Sequence, residues 1–260
     1  GLEDSETIEH YFNYLKGSIN KFPIIQVFQN YTPYQEMYRC EEAKDVEFYI
    51  KARMIIDDIF KNKEEMKPKT WECFRSLYFD DMEKTAYYEK VDGVEYRKKY
   101  RIRIYNKDKK FIRLECKYKC NNMTYKKQQL ISYDICSKII NGDTIDIDME
   151  KISGTLLEQF LLDYRLKHLI PTVIVDYDRL AYTYHISDIR ITFDSKVKSG
   201  LYNYNLFDKD SSLTPIIRDD EVILEVKFNE VLPEHIQTVL STVPLMRQAF
   251  SKFASCASIK

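Results

Sequence analysis

Glycine and long apolar runs are both scarce in this chain. Only 6 of its 260 residues are glycine, which favours strands and helices over flexible linkers. No apolar run approaches the length of a membrane span, and no signal peptide is visible. The sequence therefore predicts a cytoplasmic protein.

Clusters of metal-binding residue types are also missing. The six cysteines have no paired metal-type spacing, and Cys116-x-x-x-Cys120 is the nearest approach to a motif, so reduced thiols are predicted. The four histidines stand far apart in the sequence and offer no metal or catalytic cluster. They are His10, His168, His185 and His235.

The chain has no excess of positive charge. Its 40 lysines and arginines nearly balance 41 aspartates and glutamates, which leaves a net charge of -1. That balance argues against a nucleic-acid partner, which a basic coat would attract. Any site for a polyanion must therefore be a local concentration of cations. At 31.2 kDa the chain can bury a sizeable core in one large domain.

Residues 96–119 show what the chain does have, which is strict alternation of charged and apolar residues. Lys99, Arg101 and Arg103 share one face of a first strand. A polar turn at 106–110 leads to a second strand, and the pair is predicted to form a hairpin with its charged rows side by side. The charged face of the second strand carries Arg113, Glu115, Lys117 and Lys119.

The same alternation recurs further along the chain, in segments 173–179, 190–194 and 224–228. The charged face of a single hairpin is usually just solvated. Its recurrence instead favours an α+β fold, in which a closed, mainly antiparallel β-barrel is lined by charge and flanked by helices. Helices are predicted after Ser132, over 154–169 and over 244–257.

Six short motifs occur in the order found in one protein family. They are Arg75–Asp80 (RSLYFD), Arg101–Arg103, Leu114–Lys117, Arg190–Asp194, Leu224–Lys227 and Phe250–Phe253. Together they resemble the VTC-type polyphosphate polymerase domain, a branch of the CYTH-like triphosphate tunnel metalloenzymes. The resemblance implies a tunnel domain over residues 38–260. Residues 1–37 are left as a helical and extended N-terminal extension.

The resemblance also implies roles for individual residues. Lys252 and Ser251 resemble the element that grips the terminal phosphate, and Lys117 joins them as a candidate catalytic residue. Glu225 resembles a metal-binding glutamate, with Glu115 and Glu41 as further candidates, although Glu115 could simply neutralise nearby lysines. The candidate phosphate-binding residues are Arg39, Arg75, Arg101, Arg103, Lys126, Lys127, Arg179, Arg190 and Lys227.

Three functions remain open at this level. The resemblance implies a phosphotransferase that moves the γ-phosphoryl group of ATP onto polyphosphate with Mn²⁺ or Mg²⁺ as cofactor. The alternatives are a metal-dependent tripolyphosphatase or nucleoside triphosphatase, and a non-catalytic polyphosphate-binding module. The family pattern places a lysine where this chain has Ala43, with Lys44 next to it, and this departure favours the binding module. The expected ligands are ATP or another triphosphate and inorganic polyphosphate, and a membrane protein partner could recruit the chain to a membrane.

Overall fold

The computed structural model of the chain divides into two compact units. The first spans residues 1–71, 180–195 and 217–250, and the second spans residues 72–179, 196–216 and 251–260. Within these ranges the structure describes residues 24–29, 35–39, 71–121, 123–184, 189–219, 221–229, 232, 234, 237, 246–247 and 249–259.

Strands dominate the described residues. In chain order they are β1 (Ile24–Gln29), β2 (Gln35–Arg39), β3 (Glu72–Asp80), β4 (Tyr96–Tyr105), β5 (Ile112–Cys120), β6 (Met123–Ile131), β7 (Ile170–Tyr184), β8 (Ile189–Leu201), β9 (Thr214–Pro215), β10 (Val222–Phe228) and β11 (Met246–Arg247). The helices are α1 (Thr85–Val91), α2 (Tyr133–Asn141), α3 (Leu156–Leu166) and α4 (Lys252–Ala257), with a 3₁₀ turn at Met149–Ile152.

The second unit is built on an antiparallel sheet in the order β7-β3-β4-β5-β6. The predicted hairpin is confirmed, since β4 pairs with β5 and Arg101 lies opposite Glu115. Tyr78 of β3 lies opposite Arg101, and Gln128 of β6 lies opposite Glu115. Strands β3, β4, β5 and β6 therefore place Tyr78, Arg101, Glu115 and Gln128 side by side on the same face of the sheet.

The first unit contains the order β11-β2-β1-β10-β8, in which only the β1–β10 pair is parallel. The predicted α+β fold with a mainly antiparallel sheet is thus confirmed. The closed barrel is slightly overstated, because among the described residues β6 pairs only with β5 and β11 pairs only with β2. Hydrogen bonds between described residues therefore leave the sheet open.

The core of the second unit lies between the apolar face of its sheet and two helices. Ile102, Ile104 and Leu114 are fully buried there, as are Ile139 of α2 and Phe160 of α3. Each strand devotes every second residue to this contact, which is what strict alternation provides. Burial of the apolar face leaves the charged face of the same strands on the other side.

Helix ends follow the sequence signals in most places. The Ser132 hydroxyl accepts a hydrogen bond from the Ile135 amide, and Gly142 ends α2 with a positive φ of 73°. The helix expected over 244–257 is shorter than predicted, since β11 occupies Met246–Arg247 and α4 begins only at Lys252. Among the described residues no helix combines the length and apolarity needed to cross a membrane.

Phe160→Ala tests whether this core stabilises the unit. The Phe160 ring packs edge-on against Phe79 and Tyr100, so we expect truncation to lower the free energy of unfolding by about 3–5 kcal/mol. Leu162→Ala on the same helix is the control, because Leu162 is 46% exposed. Equal losses in urea denaturation of the two variants would contradict this assignment of the core.

Candidate anion-binding site

One face of the second unit's sheet gathers cations from several elements. The register places Lys99 opposite Lys117, and Lys117 opposite Lys126, so three strands contribute ammonium groups to one row. We define the cation cluster as Lys99, Arg101, Arg103, Lys117, Lys126, Arg179 and Lys252. Six of these seven residues were predicted from the sequence; Lys99 was placed on this face but was not selected as a site residue.

A single buried carboxylate lies within this cluster. Glu115 is 1% exposed, and its Oε2 accepts a hydrogen bond of 2.6 Å from Arg101 Nε. Arg103 Nη1 lies 3.9 Å from the same oxygen, and Lys126 Nζ lies 2.6 Å from Oε1. Arg101 also donates to the Tyr78 hydroxyl at 2.7 Å. Glu115 is thus surrounded by cations that it partly neutralises.

These contacts have opposing effects on the ionisation of Glu115 and Lys126. Burial alone raises the pKa of Glu115, but Arg101, Arg103 and Lys126 outweigh it and bring the pKa down to about 2. Burial lowers the pKa of Lys126 to about 8 despite the attraction of Glu115. Burial, with Lys117 and Arg101 adding repulsion, also lowers the pKa of Lys99 well below its usual value.

Aromatic rings lie beneath several of the cations. The Arg103 guanidinium is 5.5 Å from the centroid of Phe74, and Arg179 is 5.2 Å from the same centroid. Phe74 stacks on Tyr177 at 5.5 Å, and Tyr177 also lies beneath Lys252 at 5.1 Å. Rings attract these cations without forming ion pairs. The strand pattern of the sequence does not mark Phe74 and Tyr177 as neighbours.

The predicted terminal-phosphate element begins the last helix. The Ser251 hydroxyl accepts a hydrogen bond from the Ala254 amide at 3.3 Å, so it acts as the N-cap of α4. Lys252 follows as the first helical residue and reaches the Tyr177 ring. Ser251 therefore caps the helix whose first residue is Lys252.

Within the second unit, two predicted phosphate ligands lie outside the cation cluster. Arg75 is 1% exposed on the opposite face of β3, where its Nε donates to Asp176 at 2.6 Å and its Nη1 donates to the carbonyl of Asp208. Lys127 lies opposite Cys116 rather than on the charged row and is 5.9 Å from the centroid of Tyr118. Both residues are one position out of phase with the cluster.

The remaining predicted residues belong to the first unit. Lys227 lies opposite Arg190 across β10 and β8, and Lys227 Nζ is 2.7 Å from Glu225 Oε1. Glu225 is 5% exposed. Arg39 ends β2, and Glu41 lies outside the described residues, as do Ala43 and Lys44.

The candidate metal ligands differ in how well they fit a divalent ion. No group of three or more metal-binding side chains occurs among the residues that the structure describes. Glu115 fits poorly, since cations occupy both of its oxygens. Glu225 fits better because it lies opposite Thr192, whose buried hydroxyl has no hydrogen-bond partner within the described ranges. Carboxylate and hydroxyl oxygens are the ligands that Mg²⁺ and Mn²⁺ prefer.

Acid titration tests the environment of Glu115. Its pKa is lowered in the folded state from 4.5 to about 2, so its contribution to stability is present above pH 4.5 and is lost as the pH falls through 2. The shift corresponds to a contribution on the order of 3 kcal/mol. We expect the difference in unfolding free energy between wild type and Glu115→Gln to shrink over that range.

The matched control for this titration is Glu150→Gln, at an exposed carboxylate. Wild type and Glu150→Gln should lose stability in parallel in acid. Parallel curves for Glu115→Gln as well would show that the carboxylate is not held by the cations.

Comparison with known proteins places the chain in a family. Among solved structures, a protein from Hippeastrum described as a putative adenylyl cyclase with a dominant triphosphatase activity is 13% identical. The match covers 80% of this chain and 90% of that protein, with a TM-score of 0.41. A protein from Pyrococcus horikoshii OT3 is 15% identical, covers 76% of this chain and 91% of its own, and has a TM-score of 0.36.

Both structural similarities are too low to bear on function. No curated protein shows significant sequence similarity to the chain. The family model described as the VTC domain, however, matches residues 36–259, which is most of the sequence. The chain therefore belongs to the VTC domain family.

Proposed function

We propose that this protein binds linear triphosphates and polyphosphates on the cation cluster and transfers the γ-phosphoryl group of ATP onto a polyphosphate chain. The observation that carries the proposal is the concentration of seven cations in the second unit, three of which pair with the buried Glu115 carboxylate. Family membership supports a ligand of the triphosphate or polyphosphate class.

The residue types suit a chain of phosphoryl groups. Such a chain carries repeated, equivalent oxygens, and an arginine fork holds two of them at fixed geometry. Arg101 and Arg103 supply two forks on one strand, and Arg103 is 7% exposed. Partial exclusion of water strengthens each contact.

Transfer of a phosphoryl group requires positioning and charge neutralisation more than covalent chemistry by the protein. A terminal oxygen of the polyphosphate chain forms a bond to the γ-phosphorus of ATP, the bond from that phosphorus to the β–γ bridging oxygen breaks, and ADP leaves. Arg101, Arg103 and Lys117 would neutralise the equatorial oxygens. Lys252, positioned by its Ser251 cap, would hold the terminal phosphoryl group.

When bound, a divalent ion would supply charge neutralisation. Within the first unit, Glu225 is the carboxylate that we assign to hold such an ion, and Thr192 lies opposite Glu225 across β10 and β8. Lys227 neutralises Glu225 when no ion is bound, because its ammonium group lies 2.7 Å from the carboxylate.

Two other functions share this site. With water as acceptor, the same cations would support a tripolyphosphatase or nucleoside triphosphatase. A non-catalytic polyphosphate-binding module is favoured by Ala43 at the position of a family lysine. Acceptor choice depends on which oxygen lies in line with the γ-phosphorus, and the cations are the same in each case.

Product analysis separates the three functions. The purified protein is incubated with ATP and Mn²⁺, and the products are resolved on a polyphosphate gel. Long chains would identify a polymerase, and free phosphate without chains would identify a hydrolase. The absence of both products, together with retained polyphosphate binding, would identify a binding module and overturn the proposed transfer.

Arg103→Glu tests the cation cluster as the ligand site. Tripolyphosphate at a hundredfold excess over its dissociation constant should stabilise the wild type by about 2.7 kcal/mol, which raises the melting temperature by roughly 5–10 °C for a chain of this size. The variant places a carboxylate where a phosphate should lie, so we expect this increase to be lost.

Arg165→Glu on α3 is the matched control for that charge reversal, since Arg165 is exposed and outside the cluster. Its melting temperature should still rise with tripolyphosphate. Orthophosphate at equal ionic strength should have much less effect, because it cannot contact several cations at once. A folded Arg103→Glu variant with a normal response would remove Arg103 from the site.

A further inference from the structure

Strand β3 contributes no cation to the charged face of the second unit's sheet. The middle of β3 places Phe74, Ser76 and Tyr78 on that face, and all three are buried. The register sets Ser76 directly opposite Arg103 and Tyr78 directly opposite Arg101. Two hydroxyl groups of an uncharged strand segment therefore lie beside the two arginines that we assign to the phosphoryl groups.

Each hydroxyl accepts a hydrogen bond from the arginine opposite it. Arg103 Nε donates to Ser76 Oγ at 3.2 Å, and Arg101 Nη1 donates to the Tyr78 hydroxyl at 2.7 Å. Arg101 Nε donates in turn to Glu115 Oε2 at 2.6 Å. Because the N–H donors of a guanidinium form a rigid planar fork, holding one of its nitrogens also fixes the direction of the others.

The protein occupies only one side of each fork. Within the part of the chain that the structure describes, the Nη2 atoms of Arg101 and Arg103 have no protein acceptor within hydrogen-bond distance. An anion on the charged face can therefore take the donors that remain, in an orientation that the protein has already set. Orienting these donors before binding reduces the entropic cost of ordering long side chains around the ligand.

The surroundings of the two hydroxyl groups exclude water. Val173 and Val175 of β7 lie opposite Tyr78 and Ser76, and both valines are buried. Arg103 is itself only 7% exposed. An arginine donor that loses its acceptor here is not readily satisfied by water, so the guanidinium would lose its fixed orientation.

We infer that Ser76 and Tyr78 are positioning residues of the anion site, whose hydroxyl groups hold Arg103 and Arg101 in the orientation that binds phosphoryl oxygens. This role rests on the proposed function and adds two uncharged residues to it. A hydroxyl suits the role because it fixes a guanidinium without cancelling its charge. A second carboxylate at either position would compete with the ligand for the same cation.

The test measures the affinity for tripolyphosphate by calorimetry in Ser76→Ala and Tyr78→Phe. Each variant removes one hydroxyl group. Tyr78→Phe keeps the ring, which lies 4.8 Å from the Phe253 ring and 5.6 Å from Lys99 Nζ. We expect each variant to bind tripolyphosphate more weakly on the order of tenfold, because a hydrogen bond to a charged group is lost.

Double variants show whether each hydroxyl acts through the arginine that it contacts. In an Arg103→Ala background, Ser76→Ala should have little further effect on affinity, because no guanidinium remains to be positioned. Tyr78→Phe should behave in the same way in an Arg101→Ala background. The matched controls are the crossed pairs, Ser76→Ala with Arg101→Ala and Tyr78→Phe with Arg103→Ala, in which the two losses should add.

Two further variants remove the same hydroxyl groups away from the cluster. In Ser132→Ala the cap of α2 is lost, and in Tyr118→Phe a hydrogen bond to Gln159, 2.8 Å long, is lost on the apolar face of β5. Both changes should lower the melting temperature and leave the affinity for tripolyphosphate unchanged. A loss of affinity in Ser76→Ala, measured well below its melting temperature, is therefore not a general effect of destabilisation.

The outcomes separate this role from the proposed function. A wild type that binds tripolyphosphate, with unchanged affinity in Ser76→Ala and Tyr78→Phe, would overturn the positioning role and leave the cation cluster as the site. Losses that add fully to those of the contacted arginines would also overturn it. A wild type that binds no tripolyphosphate would overturn both the role and the proposed function.

Discussion

The second unit depends on how one carboxylate neutralises an assembly of buried and half-buried cations. Glu115 lies on the central strand of three and holds Arg101 and Lys126 from its two neighbours at 2.6 Å each. Without an anion at this point, Arg101, Arg103 and Lys126 would lose their shared carboxylate partner. Glu115 offsets the repulsion among the clustered cations only in part.

The opposite face of the same strands makes this concentration of charge tolerable. Ile102, Ile104 and Leu114 are fully buried against α2 and α3, and this apolar contact supplies stability that the charged face does not. Arg75 lies on this apolar side of the sheet, where it forms an ion pair with Asp176 and donates hydrogen bonds to the carbonyls of Leu206 and Asp208. A sheet with one apolar face and one cationic face thus separates folding from ligand binding.

Polymerase, hydrolase and binding module would all require the cations that this face presents. What distinguishes them is the length of anion that the protein holds and the acceptor that lies in line with the transferred group. On the same face, the row of cations continues past the cluster to Arg97 and Lys119.

Much of this arrangement could be predicted from the sequence because successive side chains of a strand point to opposite faces of the sheet. Alternation over residues 96–119 predicted the hairpin and the side-by-side rows that carry Arg101, Arg103 and Lys117, while Ser132 marked the start of α2. The same alternation explains why two residues that the family resemblance predicted as phosphate ligands lie outside the cation cluster. Arg75 and Lys127 are cationic, but each is one residue out of step with the charged row of its strand and therefore lies on the opposite face of the sheet. Only the folded sheet shows that Arg75 pairs with Asp176 and that Lys127 lies near the Tyr118 ring.

Contacts between distant segments were decided by the tertiary structure alone. Phe74 and Tyr177 are separated by about a hundred residues, and only the β3–β7 register stacks them beneath Arg103, Arg179 and Lys252. The low pKa of Glu115 likewise requires three cations from two strands at defined distances. Local sequence therefore determined which face each side chain occupies, because that depends on backbone geometry. Packing between strands determined which charges meet and how far water is excluded from them.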